Sequence, residues 1–458
     1  MTRPPRLGYA GHIRAVLVLG LPLIGSHIAQ LSITLTDAMM LGWYDVETLG
    51  AQVLASELFF VLFIFGAGFA WAVMPMVASA QAAGQEAQVR RVTRMGGWAS
   101  ILFGIAILPV MLWSEPVLRA MGQTEVIASL AGAYLRIAGW GMVPALLVMV
   151  LKSYLAAQER TQVVLWVTVA AVGLNIVLNY ALIFGNFGLP ELGIRGAAIA
   201  SVLVNLTSFA LLAIYAARSL PQHTLFANLW RPDWEAFSRV FRLGWPIGVT
   251  SLLESSLFLA STVMMGWIGT LEMAAHGIAM MAGSLTFMLH LGLSNAATVR
   301  AGQAFGRMDP VALRAGGAAA IGLSAFIALI TVALFLLFPE VIISAFMKPD
   351  EPDRAAVMIL GVGLLAAAAL FQLVDAAQVM ALGLLRGVQD TRVPMWIAVF
   401  SYWAVGVPAS YGLGFPLGFG GVGIWIGLAI GLAFAGVFLM LRFWVRALRW
   451  QVGEAAPV

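Results

Sequence analysis

Of the 21 acidic residues in this 458-residue chain, three fall inside long apolar runs: Asp37, Glu254 and Asp375. An ionised carboxylate in hydrocarbon costs at least about 2.5 kcal/mol, so each must hold a cation, keep a proton or find a partner. Glu254 lies 12 residues after Arg242, and Asp375 lies 11 residues before Arg386. At 1.5 Å per helical residue, both sit about 16–18 Å from a basic boundary, level with each other. No Lys or Arg is assigned to that depth. Two chemistries remain for the pair: binding a mobile cation, or two protonated acids hydrogen-bonded within a helix contact.

Asp37 lies about 33 Å along a run that starts at Ala15, deep enough to be an interfacial aspartate on the far side. Pro22 can kink that run and shorten its projection. The segment "LNIVLNY" places Asn175 and Asn179 four residues apart on one helix face. With Asp37 they would make an oxygen-rich cluster suited to a hard cation, although asparagines in apolar helices also serve to tie helices together. A sodium ion would find oxygen ligands either at Asp37, Asn175 and Asn179 or at Glu254 and Asp375. His27, His276 and His290 are scattered and read more simply as helix-bonding residues than as proton carriers. Phe258, Met264, Met265 and Phe287 lie on runs that border the expected cleft, where thioethers and aromatic faces suit varied amphipathic cations.

The elements that must position these groups follow from composition. The chain is 61% hydrophobic and only 10% charged, and its mean hydropathy is +0.94. Soluble domains carry roughly 25% charged residues, so there is too little polar surface to cover a water-exposed globule. Apolar stretches close to 20 residues recur with short polar breaks, and in hydrocarbon such stretches must satisfy their own amides as helices. The expected spans are 15–42, 52–80, 96–113, 128–150, 161–184, 196–217, 244–268, 276–300, 315–338, 356–382, 393–412 and 419–445. The first is too long and too polar, with Gln30, Ser32 and Thr34, to be a cleaved signal peptide. With no cysteine in the chain, disulfides and thiolate metal sites are excluded.

Twelve spans place both termini on one side. All but five of the 25 Lys and Arg (Arg119, Arg136, Arg195, Lys348 and Arg354) fall on that side, which the positive-inside rule assigns to the cytoplasm. The expected location is therefore an inner, cytoplasmic membrane, with residues 221–237 facing inward and 346–354 outward. The two halves also repeat. "LGLPLIG" at 19–25 aligns with "LGWPIGV" at 243–249, "MLGW" at 40–43 with "MMGW" at 264–267, and "AQAAGQ" at 80–85 with "GQAFGR" at 302–307; "GIRGAAIA" at 193–200 echoes "GGVGIWIG" at 420–427. Six spans per repeat preserve orientation, so the axis relating the copies should lie along the membrane normal. The expected fold is an all-α membrane protein of twelve transmembrane helices in two six-helix lobes related by a pseudo-two-fold axis, flanking a cleft. The divisions are 1–220 for the first lobe, 221–240 for a linker and 241–458 for the second.

No nucleotide-binding glycine loop, paired-histidine metal helix or nucleophile elbow is present. Neither enzymatic activity nor an organic cofactor is expected, and an ion gradient must supply any energy for transport. The net charge of +4 reflects the sidedness of the basic residues rather than a nucleic-acid surface.

Four segments in order, "LTDAMMLG" at 35–42, "LNIVLNY" at 174–180, "LLESSLF" at 252–258 and "FQLVDAAQVMALGLLRGVQDT" at 371–391, resemble the multidrug and toxic compound extrusion (MATE) transporters, specifically their NorM-like branch. The resemblance covers essentially the whole chain. It implies that Asp37, Asn175 and Asn179 match the family's amino-lobe cation cluster, and that Glu254 and Asp375 match a carboxy-lobe pair absent from the DinF-like branch. Phe371 stands where some NorM-like members carry tyrosine, so a cation contact there would use the ring face alone. The family implies antiport of cationic drugs and dyes against Na⁺ or H⁺ by alternating access, in a monomer. A flippase for lipid-linked oligosaccharides would need Arg or Lys in its cavity for the pyrophosphate, and a non-transporting scaffold would not need two level carboxylates.

Overall fold

A computed structural model describes residues 7–347 and 352–451; Lys348, named above for sidedness, and residues 349–351 of the expected outward segment lie outside the described residues. Among the described residues, twelve helices are long and apolar enough to cross a membrane. They are α1 (Tyr9–Tyr44), α2 (Val46–Ala82), α3 (Glu86–Leu112), α4 (Glu125–Ala157), α5 (Thr161–Ile183), α6 (Ile194–Ser219), α7 (Trp234–Ile268), α8 (Thr270–Gly306), α9 (Pro310–Leu337), α10 (Arg354–Gly387), α11 (Arg392–Gly414) and α12 (Gly420–Ala447). No strand occurs among the described residues. Each expected span lies within or against one of these helices. The helices outrun the apolar windows because a backbone once wound continues through polar residues until a cap or breaker stops it, as at Asp45, whose carboxylate accepts the Thr48 amide at the start of α2.

Two helices depart from regular winding. In α4 a 3₁₀ turn occupies Gly139–Gly141. In α11 the segment Phe400–Gly406 is a π-helix, closed by the Val407 N–H bonding the Tyr402 carbonyl.

The chain divides into two compact units, Gly25–Val249 and the described residues of Met1–Ile24 with Thr250–Val458. The sequence repeat predicts divisions at 220 and 240; the compact units part inside α1 and α7, just after Pro22 and Pro246, which occupy matching positions in the two repeats. The first span of each repeat is thus shared between the units.

In the unit Gly25–Val249, α2 packs on α3 and α4, and α6 packs on α5 and α4. Arg136 pairs with Glu115, and Glu115 also takes Arg119 at 2.8 Å. Lys152 lies within α4, where its ammonium donates to Gln30 Oε1 at 3.3 Å. The connection from α6 to α7 is held down on α3: Arg91 Nε donates to Asp233 at 2.5 Å, Arg94 donates to the Asn228 carbonyl and Trp98 Nε1 to the Leu229 carbonyl. The Arg91 bond holds the Asp233 carboxyl down at about 2. A depressed carboxyl contributes stability that is present above its unfolded value near 4 and is lost as pH falls through 2. Asp233→Ala is therefore expected to free this connection at neutral pH, where limited proteolysis between residues 224 and 233 should speed up several-fold over the wild type. Unchanged cleavage would show that the Arg94 and Trp98 bonds suffice.

In the other unit, α8 against α10 is the most extensive pairing, followed by α10 against α12. The α8–α10 seam is built for close approach. Gly383 and Gly387 face Ser294 and Thr298, and a Cβ on Gly383 would fall 2.2 Å from Ser294 Oγ and 2.7 Å from its carbonyl oxygen. Ser294 donates to the Val379 carbonyl and Thr298 to the Gly383 carbonyl, each at 2.8 Å, so small residues and interhelical hydrogen bonds lock the register.

Candidate functional site

The sequence-derived polar residues fall into two clusters, one in each unit. In the unit Gly25–Val249, α5 presents Asn175 and Asn179 on one face, and both amides reach Asp37 on α1. Asn175 Nδ2 donates to Asp37 Oδ1 at 2.9 Å and Asn179 Nδ2 to the same oxygen at 2.6 Å. Asn179 Nδ2 also bridges to Asn175 Oδ1 at 3.3 Å. All three side chains are buried, and Asp37 is only 6% exposed. Ser201 Oγ on α6 adds a third donor, to Oδ2 at 3.4 Å, and Tyr134 on α4 lies close enough to feel the Asp37 charge.

This cluster surrounds the Asp37 carboxyl with neutral donors. To hold a cation, the asparagines must present oxygen instead of nitrogen, a half-turn of each amide. Asn179 Oδ1 has no protein partner. The sequence did not single out Ser201 or Tyr134, because neutral polar residues in an apolar run carry no charge penalty to mark them.

The second cluster joins α7, α10 and α11. Asp375 is 1% exposed and neither of its carboxylate oxygens has a protein partner. Glu254 acts on it as a neighbouring charge. Gln378, one turn beyond Asp375 on α10, donates through Nε2 to the Tyr402 hydroxyl at 2.5 Å and also bonds Glu254. Its Oε1 is left without a protein partner, as is Glu254 Oε1. Glu254 Oε1, both Asp375 oxygens and Gln378 Oε1 are therefore all buried and unengaged by protein, a donor set for a hard cation. Tyr402 belongs to the π segment of α11, a distortion that often marks functional positions.

Arg386, assigned from sequence to the boundary, interacts electrostatically with Glu254.

One turn from each carboxylate sits a phenylalanine: Phe258 follows Glu254 on α7, and Phe371 precedes Asp375 on α10. The two rings meet edge to face at 5.8 Å. Phe371 also abuts Trp425 at 5.4 Å and is 4% exposed. Trp425 Nε1 donates to His276 Nδ1, and His276 Nε2 lies 3.1 Å from Thr262 Oγ1. A Trp N–H only donates, so Nδ1 must accept and Nε2 carries the proton. That fixes His276 as a neutral structural link. His290 bonds Ser324 through Nδ1. Among the candidate cavity residues, Phe287 is half-buried on α8, while Met264 and Met265 are 4% and 0% exposed and pack inside this unit. A Cβ on Gly421 would come 3.1 Å from Met265 Sδ.

Comparison with known proteins gives a consistent picture. The family model described as MatE matches residues 22–181 and 246–412, once in each repeat. A probable multidrug resistance protein NorM of Rhizobium meliloti is 46% identical over 447 residues, covering 97% of this chain and 96% of that one. The multidrug resistance protein NorM of Burkholderia vietnamiensis is 35% identical over 442 residues, covering 96% and 95%. The crystal structure of the eukaryotic MATE transporter AtDTX14 superposes with a TM-score of 0.86 at 20% identity, over 97% of this chain and 99% of that one, and shows the same fold.

Proposed function

The chain belongs to the MATE family of transporters, on its NorM-like branch, and from that membership we propose that it exports cationic or amphipathic toxic compounds in exchange for sodium by alternating access. The observation that carries the reading is the Asp375 carboxylate, buried beside Glu254 with neither oxygen engaged by protein. A purely structural acid would be bonded across the helix contact, whereas an ion-coupling acid must stay available. The charge bias supports placement in the inner membrane with both termini cytoplasmic. Drug and bilayer are the expected partners, with no nucleic acid, and the protein works as a monomer.

Sodium is favoured over protons because it needs several oxygen ligands, while a proton needs only one acid of raised affinity. Gln378 Oε1 and the amide oxygens of Asn175 and Asn179 can ligate but do not titrate. Exchange of one sodium for one monovalent drug is electroneutral, so the membrane potential, worth about 2.3 kcal/mol per 100 mV, drops out. Each tenfold sodium gradient then supplies about 1.4 kcal/mol, or tenfold accumulation of drug. Steeper accumulation would require two ions per cycle, and the two oxygen clusters are the candidates to hold them.

Proteoliposomes loaded with a cationic dye should empty on an imposed sodium gradient with pH clamped equal on both sides. Efflux that ignores sodium but follows a pH step would reassign the carboxylates to proton transfer. Absence of efflux under either gradient would remove the export reading itself.

A further inference from the structure

The Glu254 and Asp375 carboxylates come from the first and fourth helices of the second repeat, α7 and α10. The matching helices of the first repeat, α1 and α4, also carry a polar pair, with the opposite polarity. The segments at 19–25 and 243–249, and those at 40–43 and 264–267, align at one constant offset of 224 residues, which carries Gln30 on α1 onto Glu254. The α4 helix brings Lys152, whose long stem takes its ammonium to Gln30 Oε1 at 3.3 Å. Where one repeat sets two carboxylates, the other sets an amide and an ammonium, both inside the unit Gly25–Val249.

An ammonium inside an apolar span calls for an anion. Among the described residues none supplies one: no carboxylate acts on Lys152, and the titratable group that Lys152 does act on, His27, is a base. The Gln30 bond uses one ammonium proton, which leaves the others and the Gln30 Nε2 protons as donors side by side. Gln30 is exposed and Lys152 half-buried, so a ligand reaches the pair from the surface of the unit. Depth narrows the ligand further. Lys152 stands eight residues inside Arg160, about 12 Å by helical rise, below the level of a lipid phosphate. Gln30 lies seven residues before Asp37, about 10 Å from that cluster. An anion at this depth must arrive on an amphipathic body, and a planar carboxylate fits two adjacent N–H donors.

We propose that Lys152 and Gln30 bind the carboxylate of amphoteric compounds, so that the transported substrates include molecules carrying an acid as well as a cationic centre. This rests on the export reading above and extends its substrate class beyond simple cations. The probes are rhodamine B, which carries a free carboxylate, and its ethyl ester, the same cationic dye with that charge removed. Binding of each to full-length protein in maltoside is followed by fluorescence polarisation, and efflux of each from proteoliposomes is followed on a sodium gradient and on a pH step.

Lys152→Gln should raise the Kd for rhodamine B at least about tenfold while the Kd for the ester moves no more than about threefold. Lys152→Arg, which keeps the charge and cannot release its proton, should stay within about threefold of wild type for both dyes. Binding of the ester by each variant reports that the fold is kept. Equal losses for the two dyes, or no loss for either, would overturn the proposal, as would wild-type protein that binds the ester and not the free acid. Efflux of the ester by the wild type keeps the export reading standing in all three cases. Failure to move the ester under either gradient would remove that reading and this proposal with it.

Discussion

Asp375→Asn is expected to lower dye efflux at least about a hundredfold, which corresponds to about 2.7 kcal/mol, while leaving the protein inserted and folded. The substitution is isosteric, and it breaks no protein hydrogen bond because neither Asp375 oxygen makes one. Only the charge is lost. Glu254→Gln should behave likewise, and the double variant should be no worse than either single one if the two carboxylates act as one site. The neutral members should give a graded result. Tyr402→Phe removes the oxygen that Gln378 donates to, which loosens the amide and should raise the sodium concentration for half-maximal efflux about tenfold with the maximal rate nearly kept. Efflux and expression can be measured side by side in a pump-deficient strain. Loss of expression in Asp375→Asn, with no folded protein to assay, would turn the pair into a structural contact.

Gly383→Val should abolish the folded protein altogether. Its first added carbon would meet Ser294 Oγ at 2.2 Å and the Ser294 carbonyl oxygen at 2.7 Å, and the second of these is backbone that cannot rotate away. Overpacking at such a seam costs about 3 kcal/mol or more. Removing a hydrogen bond there is far cheaper, with interhelical bonds in membranes averaging about 0.6 kcal/mol. Ser294→Ala, which deletes the bond to the Val379 carbonyl but keeps the volume small, should therefore retain yield and transport. Packing, not hydrogen bonding, dominates this contact. Yields of monodisperse protein for the two variants decide it: equal yields would mean that α8 and α10 can separate without loss.

The twelve helices were legible because each is an apolar window bounded by charge, and hydrocarbon allows few other answers for such a window. Asp37, Glu254 and Asp375 were legible for the same reason, as charges where charge is expensive. Asn175 and Asn179 showed through their four-residue spacing, and the structure brings both onto Asp37. Gln378, Tyr402 and Ser201 were not legible. They are neutral, common in helices, and acquire meaning only once α10, α11 and α6 are placed against their neighbours. The buried positions of Met264, Met265 and Phe371 could not be read either, since side chains of that kind occur equally on packed and lipid-facing surfaces.

The π segment of α11 bears on how relatives should be compared with this chain. One residue more than an α-turn would use is accommodated between Phe400 and Gly406. The wider π-turn absorbs that residue, so the faces beyond it keep their direction while the sequence register shifts by one. Ser410, against which Gly427 of α12 is packed, would then correspond in a relative lacking the extra residue to a position one step earlier in the count from Tyr402. An ungapped alignment through residues 400–410 would pair side chains that do not occupy the same place in space.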